Sequence, residues 1–150
     1  MFVHYSTSVE VGLGQVERRI DDLRSHMEQW ADIAYRAGEE MKARVGPTGA
    51  VAKSVVLEVG RPEIHRRGVV YPVRWSANGA GALFPDLRAE LVLSQLGSDH
   101  TTISLDGTYE PPLGAVGRFL DRTLMSRVAE ATVRNWVDRL ADAVSDSEEV

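Results

Sequence analysis

The sequence predicts an α+β domain in which one long C-terminal helix lies across an antiparallel sheet, and three observations carry that expectation. An alternating run at the N-terminus gives way to apolar residues at helical spacing from Val16 onward. Successive strand-like runs between about residues 51 and 109 are joined by short turns, which implies an antiparallel meander. The last of these runs ends at Tyr109, meets the double proline Pro111-Pro112, and launches an apolar-striped run to about Val144.

Each element follows from its local pattern. Residues 2–11 set Val3, Tyr5, Thr7 and Val9 against Phe2, His4, Ser6 and Ser8, the period of a half-buried strand. Gly12 and Gly14 end it. Val16, Ile20 and Leu23 then recur at helical spacing, and Ser25-His-Met-Glu28 has the form of a capping box, in which the serine hydroxyl caps a helix amide and the glutamate returns the bond. That motif divides the helical region in two, at about 14–24 and 26–44. Positions 16, 20, 23, 27, 30 and 34 also approximate a heptad, so one continuous helix is the alternative.

The turn Gly46-Pro-Thr-Gly49 precedes the meander. Its first run, about 51–60, alternates Val55, Leu57 and Val59 with Ser54 and Glu58, and its second, about 68–77, places Val69, Tyr71, Val73 and Trp75 on one face. Pro72 has no amide to donate and marks a strand edge or a bulge. The third run, about 86–96, sets Leu87, Ala89, Leu91 and Leu93 against Arg88, Glu90 and Ser94. The fourth, about 100–109, sets Ile103, Leu105 and Tyr109 against Thr102, Ser104 and Asp106, behind a tight Gly97-Ser-Asp99 hairpin. Ser76–Pro85 reads as a glycine-rich connector, and Arg61-Pro-Glu-Ile-His-Arg-Arg-Gly68 as a solvated basic hairpin.

From Leu113 onward Val116, Leu120, Leu124, Val128, Val133, Trp136, Leu140 and Val144 keep a helical period, while Arg118, Arg122, Arg127, Glu130, Arg134, Asp138 and Asp142 face away. Glu130 and Arg134 stand at i, i+4 and suit an ion pair. A run of ~30 residues makes a helix roughly 45 Å long, enough to cross a small domain. Pro111, Pro112 and Gly114 suit the junction, because proline stops a strand ladder and starts a helix without losing a bond. The expected architecture is a helix-grip fold: a single domain over 1–144, two N-terminal helices after the first strand, an antiparallel sheet wrapped on the C-terminal helix, and an acidic disordered tail over 145–150.

Composition narrows the function. The 150 residues suit one core, with 43% apolar and 26% charged residues. The net charge of −5, from 17 basic and 22 acidic residues, gives no global attraction to nucleic acid. The absence of cysteine excludes disulfides, thiolate nucleophiles and cysteine-bearing zinc sites. The N-terminus has no basic n-region or apolar h-region, and no apolar run approaches the ~18 residues of a membrane span, so a cytoplasmic location is expected. Gly12-Leu-Gly14 falls short of a dinucleotide loop because Glu17 holds the third glycine position. His4, His26, His65 and His100 are scattered, and no nucleophile elbow or phosphate loop occurs. No catalytic residue, metal ligand or cofactor is expected.

Tyr71, Trp75, Tyr109 and Tyr5 lie on apolar strand faces. They read either as core packing or as the wall of a cavity, where hydroxyl and indole N–H groups orient a mostly apolar ligand. Gly107-Thr-Tyr-Glu-Pro-Pro-Leu-Gly-Ala-Val-Gly-Arg-Phe-Leu-Asp-Arg122, with Val128-Ala-Glu-Ala-Thr-Val133, resembles the C-terminal signature of small actinobacterial members of the SRPBCC superfamily, which includes START-type lipid-binding domains and polyketide cyclases. The order of elements resembles that superfamily over nearly the whole chain, with five strands counted where six or seven are common.

The resemblance implies a hydrophobic pocket under the last helix, with Tyr71, Val73, Trp75, Leu91, Leu93, Tyr109, Leu120, Leu124 and Val128 as its lining. The expected function is binding of an apolar small molecule, lipid or polyketide-like, by a monomeric or homodimeric carrier or sensor without turnover. Two alternatives stand beside it. A polyketide cyclase or aromatase would use Tyr71 or Tyr109 as general acid, although Arg74, Arg88 and Glu90 point outward by alternation. A protein-interaction or co-chaperone module would use the exposed faces of the N-terminal helices.

Overall fold

The computed structural model describes residues 2–43, 54–78, 86–110 and 122–146, with some side chains near element ends, Leu124 and Val128 among them, left undescribed. The chain runs β1 (Phe2–Val9), α1 (Leu13–Ala43), β2 (Ser54–Val59), β3 (Glu63–His65), β4 (Gly68–Asn78), β5 (Asp86–Gly97), β6 (His100–Glu110) and α2 (Arg122–Asp146). The strands form one sheet in the order β1-β6-β5-β4-β2, with β3 also on β4, and every pairing is antiparallel. Both helices cover the same face, α2 along β1 and α1 toward β2, and pack against each other. The architecture is an α+β helix-grip.

The N-terminal helical region is one helix of 31 residues, not two. Ser25 and Glu28 sit in mid-helix and face solvent. A capping box closes a helix only where the chain enters from a non-helical residue. Here Val16, Ile20, Met27, Ala31 and Ala34 form an unbroken buried stripe, with Leu23 and Trp30 half-buried beside it, so burial carries the helix straight through. The heptad-like spacing was the better guide.

Among the described residues the sheet has six strands, where the pattern gave five. The extra strand is β3, cut from the basic segment read as a hairpin loop. Its side chains are all exposed, so it carries no alternation to read. Pro72 sits where β2 hands over to β3: β2 pairs with Val73–Asn78 and β3 with Gly68–Val70. Gly60 donates its N–H to the Pro72 carbonyl at 2.7 Å. The N and O of one strand residue face the same neighbour, so the missing proline donor falls at this break in the ladder.

The two turns at the other end of the sheet are tight. Ser98-Asp99 joins β5 to β6 with Gly97 at φ 148°, and Arg66-Arg67 joins β3 to β4 with Gly68 at φ 127°. The expectations for the turn at 46–49, the junction Pro111, Pro112 and Gly114, and the helix start at 113–121 lie outside the described residues; of the connector at 76–85, residues 76–78 belong to β4, and of the tail at 145–150, Ser145 and Asp146 belong to α2, the remainder of both lying outside as well. Arg134 does not pair with Glu130 among the described residues; its guanidinium lies 5.5 Å from the centre of the Tyr5 ring.

Gly68 gives a direct test of the hairpin. A Cβ there would collide with the Leu93 carbonyl in a backbone conformation that L side chains avoid. Gly68→Ala is expected to cost at least about 1–3 kcal/mol in urea denaturation. Gly97→Ala, with no atom within 4 Å of the added Cβ, should cost less. Equal losses would show that the close approach at Gly68 is not a constraint.

Candidate functional site

The inner face of the sheet consists of rows of side chains fixed by register. Leu57, Trp75, Leu87 and Tyr109 form one row. Val73, Ala89, Gly107 and Val3 form the next, and Tyr71, Leu91, Leu105 and Tyr5 the one after. Val69, Leu93, Ile103 and Thr7 complete the set. The Ala89–Gly107 pair pinches the sheet, because a Cβ on Gly107 would lie 2.6 Å from the Ala89 Cβ. The row that holds this pair lies between two rows that carry aromatic rings.

Of the nine expected pocket residues, Tyr71, Val73, Trp75, Leu91, Leu93 and Tyr109 all lie on this face and are at most 4% exposed. They belong to one continuous core with α1 and with Ala129, Val133, Trp136, Val137, Leu140, Ala141 and Val144 of α2. Leu120 and the side chains of Leu124 and Val128 are outside what is described. The described part of the inner face is closed packing.

Sequence reading missed four contributors. Trp136 was recognised as part of the helical stripe but not as a site residue, yet its ring meets Trp75 edge-on at 5.9 Å and its Nε1–H donates to the Met27 carbonyl at 3.1 Å. Leu87 and Leu105 share the parity of the chosen residues, and the alternation alone could have found them. Arg24 had no sequence signal. It donates to the Val59 and Gly60 carbonyls at 3.0 and 3.2 Å, and its guanidinium lies 5.7 Å from the centre of the Tyr71 ring.

Polar chemistry on the inner face centres on the tyrosines. Tyr71 is fully buried, and its hydroxyl has no hydrogen-bond partner among the described residues. Burial pushes its pKa up to about 12, with the carboxylates of Asp21 and Glu17 adding to the rise and Arg24 opposing it. Tyr5 is only half-buried and donates to Asp138 Oδ1 at 2.6 Å, a hydrogen bond that is the first cause of its own raised pKa.

Arg74, Arg88 and Glu90 are exposed on the outer face, as alternation required. That face bears an open groove of about 720 Å³, whose lining includes these three residues, Phe2, Arg67, Pro72 and Asp106. Among the described residues no cluster of histidine and carboxylate side chains could hold a metal ion, and no helix is long and apolar enough to cross a membrane.

Comparison with solved structures identifies the scaffold. A START superfamily protein from Mycobacterium smegmatis matches over 97% of this chain and 98% of its own, with 11% identity and a TM-score of 0.54. The Zhui aromatase/cyclase from Streptomyces sp. R1128 matches over 99% and 93%, with 14% identity and a TM-score of 0.51. The chain has an SRPBCC-like fold. TTHA0849 from Thermus thermophilus matches this chain over 99% of its length and 100% of that protein, at 17% identity and a TM-score of 0.55. No family model matches the sequence, and no curated protein matches it. At these identities the likeness is one of fold.

Tyr71→Phe tests the environment of the buried hydroxyl. An unsatisfied buried hydroxyl costs about 1–3 kcal/mol, so the variant should be as stable as the parent or more stable at pH 7. Because the folded-state pKa is raised above 10.0, the folded state holds the proton longer, and this group's contribution is complete below pH 10 and lost as pH rises toward about 12. Tyr71→Phe should flatten that alkaline loss in denaturation curves. A variant less stable at pH 7 would reveal a partner for the hydroxyl.

Proposed function

We propose that this protein binds an apolar small molecule, lipid or polyketide-like, between the inner face of the sheet and α2, and carries or senses it without turnover. The observation that carries this reading is the separation of charged from inward-facing side chains on β4 and β5. Tyr71, Val73, Trp75, Leu91 and Leu93 face inward, while Arg74, Arg88 and Glu90 face outward and are exposed. An interior built this way holds a ligand by burial at roughly 25 cal/mol per Å² and has little with which to move protons. The phenol of Tyr71, with its pKa pushed up to about 12, is neutral at pH 7.

The direction of α2 supports a position for the ligand. Trp136 meets Trp75, Asp138 meets Tyr5, and Arg19 donates to the Val144 carbonyl, so α2 runs alongside β1 in the same sense. Its first turns therefore extend toward the Trp75–Leu87–Tyr109 end of the sheet. A ligand there would lie over Trp75 and Tyr109, toward the first turns of α2.

A second reading, an aromatase or cyclase, rests on the buried Tyr71 hydroxyl beside Arg24, with Tyr71 as general acid. The solved structure of Zhui, itself an aromatase/cyclase, shows that this scaffold hosts such an enzyme. Binding without chemistry is favoured because the raised pKa makes Tyr71 a weak proton donor.

Tryptophan fluorescence is expected to respond to long-chain or polycyclic apolar ligands, and Trp75→Phe should remove most of the response although Trp30 and Trp136 remain. Native mass spectrometry of protein purified from its own host should show a retained apolar mass. An undiminished response in Trp75→Phe would reject the assignment of Trp75, and turnover of a polyketide-like substrate that Tyr71→Phe abolishes would establish the enzyme reading.

A further inference from the structure

The groove on the outer face has an organisation unrelated to the interior site. Two rows of side chains rise from the sheet as its walls, and its floor is the backbone of Gly107 and of Val73 and Ala89, whose side chains point inward. One wall, in register across five strands, is Glu58, Arg74, Arg88, Thr108 and Phe2. The other holds Pro72, Glu90 and Asp106, overhung by Arg67.

The acids of the second wall are already engaged. Arg67 reaches Asp106 at 2.6 Å and Glu90 at 3.5 Å, and His4 also pairs with Asp106. The first wall differs. Arg74 and Arg88 stand directly opposite each other on adjacent strands, both are exposed, and neither has an ion pair among the described residues. Glu58, across the strand from Arg74, is the one carboxylate of that wall and makes no such pair either. Like charges directly opposite in a sheet are unfavourable, and a shared oxyanion relieves them through charge-assisted hydrogen bonds from two guanidinium forks.

Beyond Arg88 the same wall continues to the Thr108 hydroxyl and to Phe2, whose ring is 86% exposed. Phe2 lies two strand spacings from Arg88, about 9–10 Å. We propose that this groove is a second binding site, for a small amphipathic oxyanion whose phosphate or carboxylate head bridges Arg74 and Arg88 and whose aromatic or apolar body lies along the wall toward Phe2.

Calorimetric titration with 1-naphthyl phosphate tests the site, with inorganic phosphate and 2-naphthol separating head from body. The unmodified protein should bind the naphthyl phosphate more tightly than inorganic phosphate. Arg74→Gln and Arg88→Gln should each weaken it about tenfold or more, and Arg88→Lys should also weaken it because a point charge replaces the fork. Phe2→Ser should weaken the naphthyl ester several-fold and leave inorganic phosphate unchanged. Arg139→Gln, on the exposed side of α2, should change nothing.

Removing one of two opposed arginines should keep or raise the melting temperature without ligand, so these variants are expected to fold. Binding as tight in Arg74→Gln and Arg88→Gln as in the parent would overturn the proposal, as would no binding up to about 10 mM, where affinity is negligible. Equal affinity for inorganic phosphate and the naphthyl ester would overturn the part assigned to Phe2. Because 2-naphthol has no anionic head, binding of it that survives both arginine substitutions would belong to the interior and not to this groove.

Discussion

Trp136 is the point on which the layers of this protein meet. Its side chain is fully buried, its ring packs edge-on against Trp75 of the sheet, and its indole N–H is satisfied by a main-chain carbonyl of α1, that of Met27. An indole N–H buried without that acceptor would cost about 1–3 kcal/mol, so α1 and α2 cannot slide past each other freely once the ring is inserted. Other ties act at separate levels: Arg19 to the Val144 carbonyl, Arg24 to the carbonyls of Val59 and Gly60, and Tyr5 to Asp138. Three of these ties end on backbone groups at chain levels that substitution of a partner side chain would not alter. Together they hold two helices at fixed heights over one sheet face.

That packing divides the molecule chemically. Alternation along β4, β5 and β6 sends Tyr71, Trp75, Leu91, Leu105 and Tyr109 under the helices and leaves Arg74, Arg88, Glu90 and Asp106 on the far side. The partition is not perfect. Val70 and Val92, opposite one another in register, are buried on the outer face and stand apart from the main core. Even so, charge and apolar surface are kept on opposite sides of a single layer about one backbone thick. An interior ligand and an outer-face ligand would therefore meet different chemistry with little interference.

Fold likeness to a START superfamily protein and to an aromatase/cyclase sets the scaffold without choosing between binding and catalysis. The choice lies with the polar groups under the helices. Here the described interior offers the buried phenols of Tyr71 and Tyr109, with the Arg24 guanidinium at its edge donating to Asp21 and to the carbonyls of Val59 and Gly60.

How much was legible in advance depended on whether the deciding force is local. Period-2 alternation is local, and it placed Tyr71, Val73, Trp75, Leu91, Leu93 and Tyr109 on one face and Arg74, Arg88 and Glu90 on the other, as the sheet has them. The helix-grip order was legible for the same reason, since the 3.6-residue stripe of Val133, Trp136, Leu140 and Val144 is written in the sequence and is buried in the fold. Three features were not local. The continuity of α1 through Ser25-His-Met-Glu28 came from burial of its stripe against sheet and α2, which overrides a capping motif lacking a chain break. The strand β3 exists because β4 extends beyond β2 and offers a free edge, although nothing in Glu63-Ile-His65 alternates between buried and exposed. Arg24, Trp136 and the opposed pair Arg74 and Arg88 acquire their roles from residues 35, 109 and 14 positions away. Sequence periodicity determined which side of each element faces the core, because that depends on backbone geometry alone. Only the tertiary structure decided which residues on those sides meet, because register and helix height are set by contacts between distant segments.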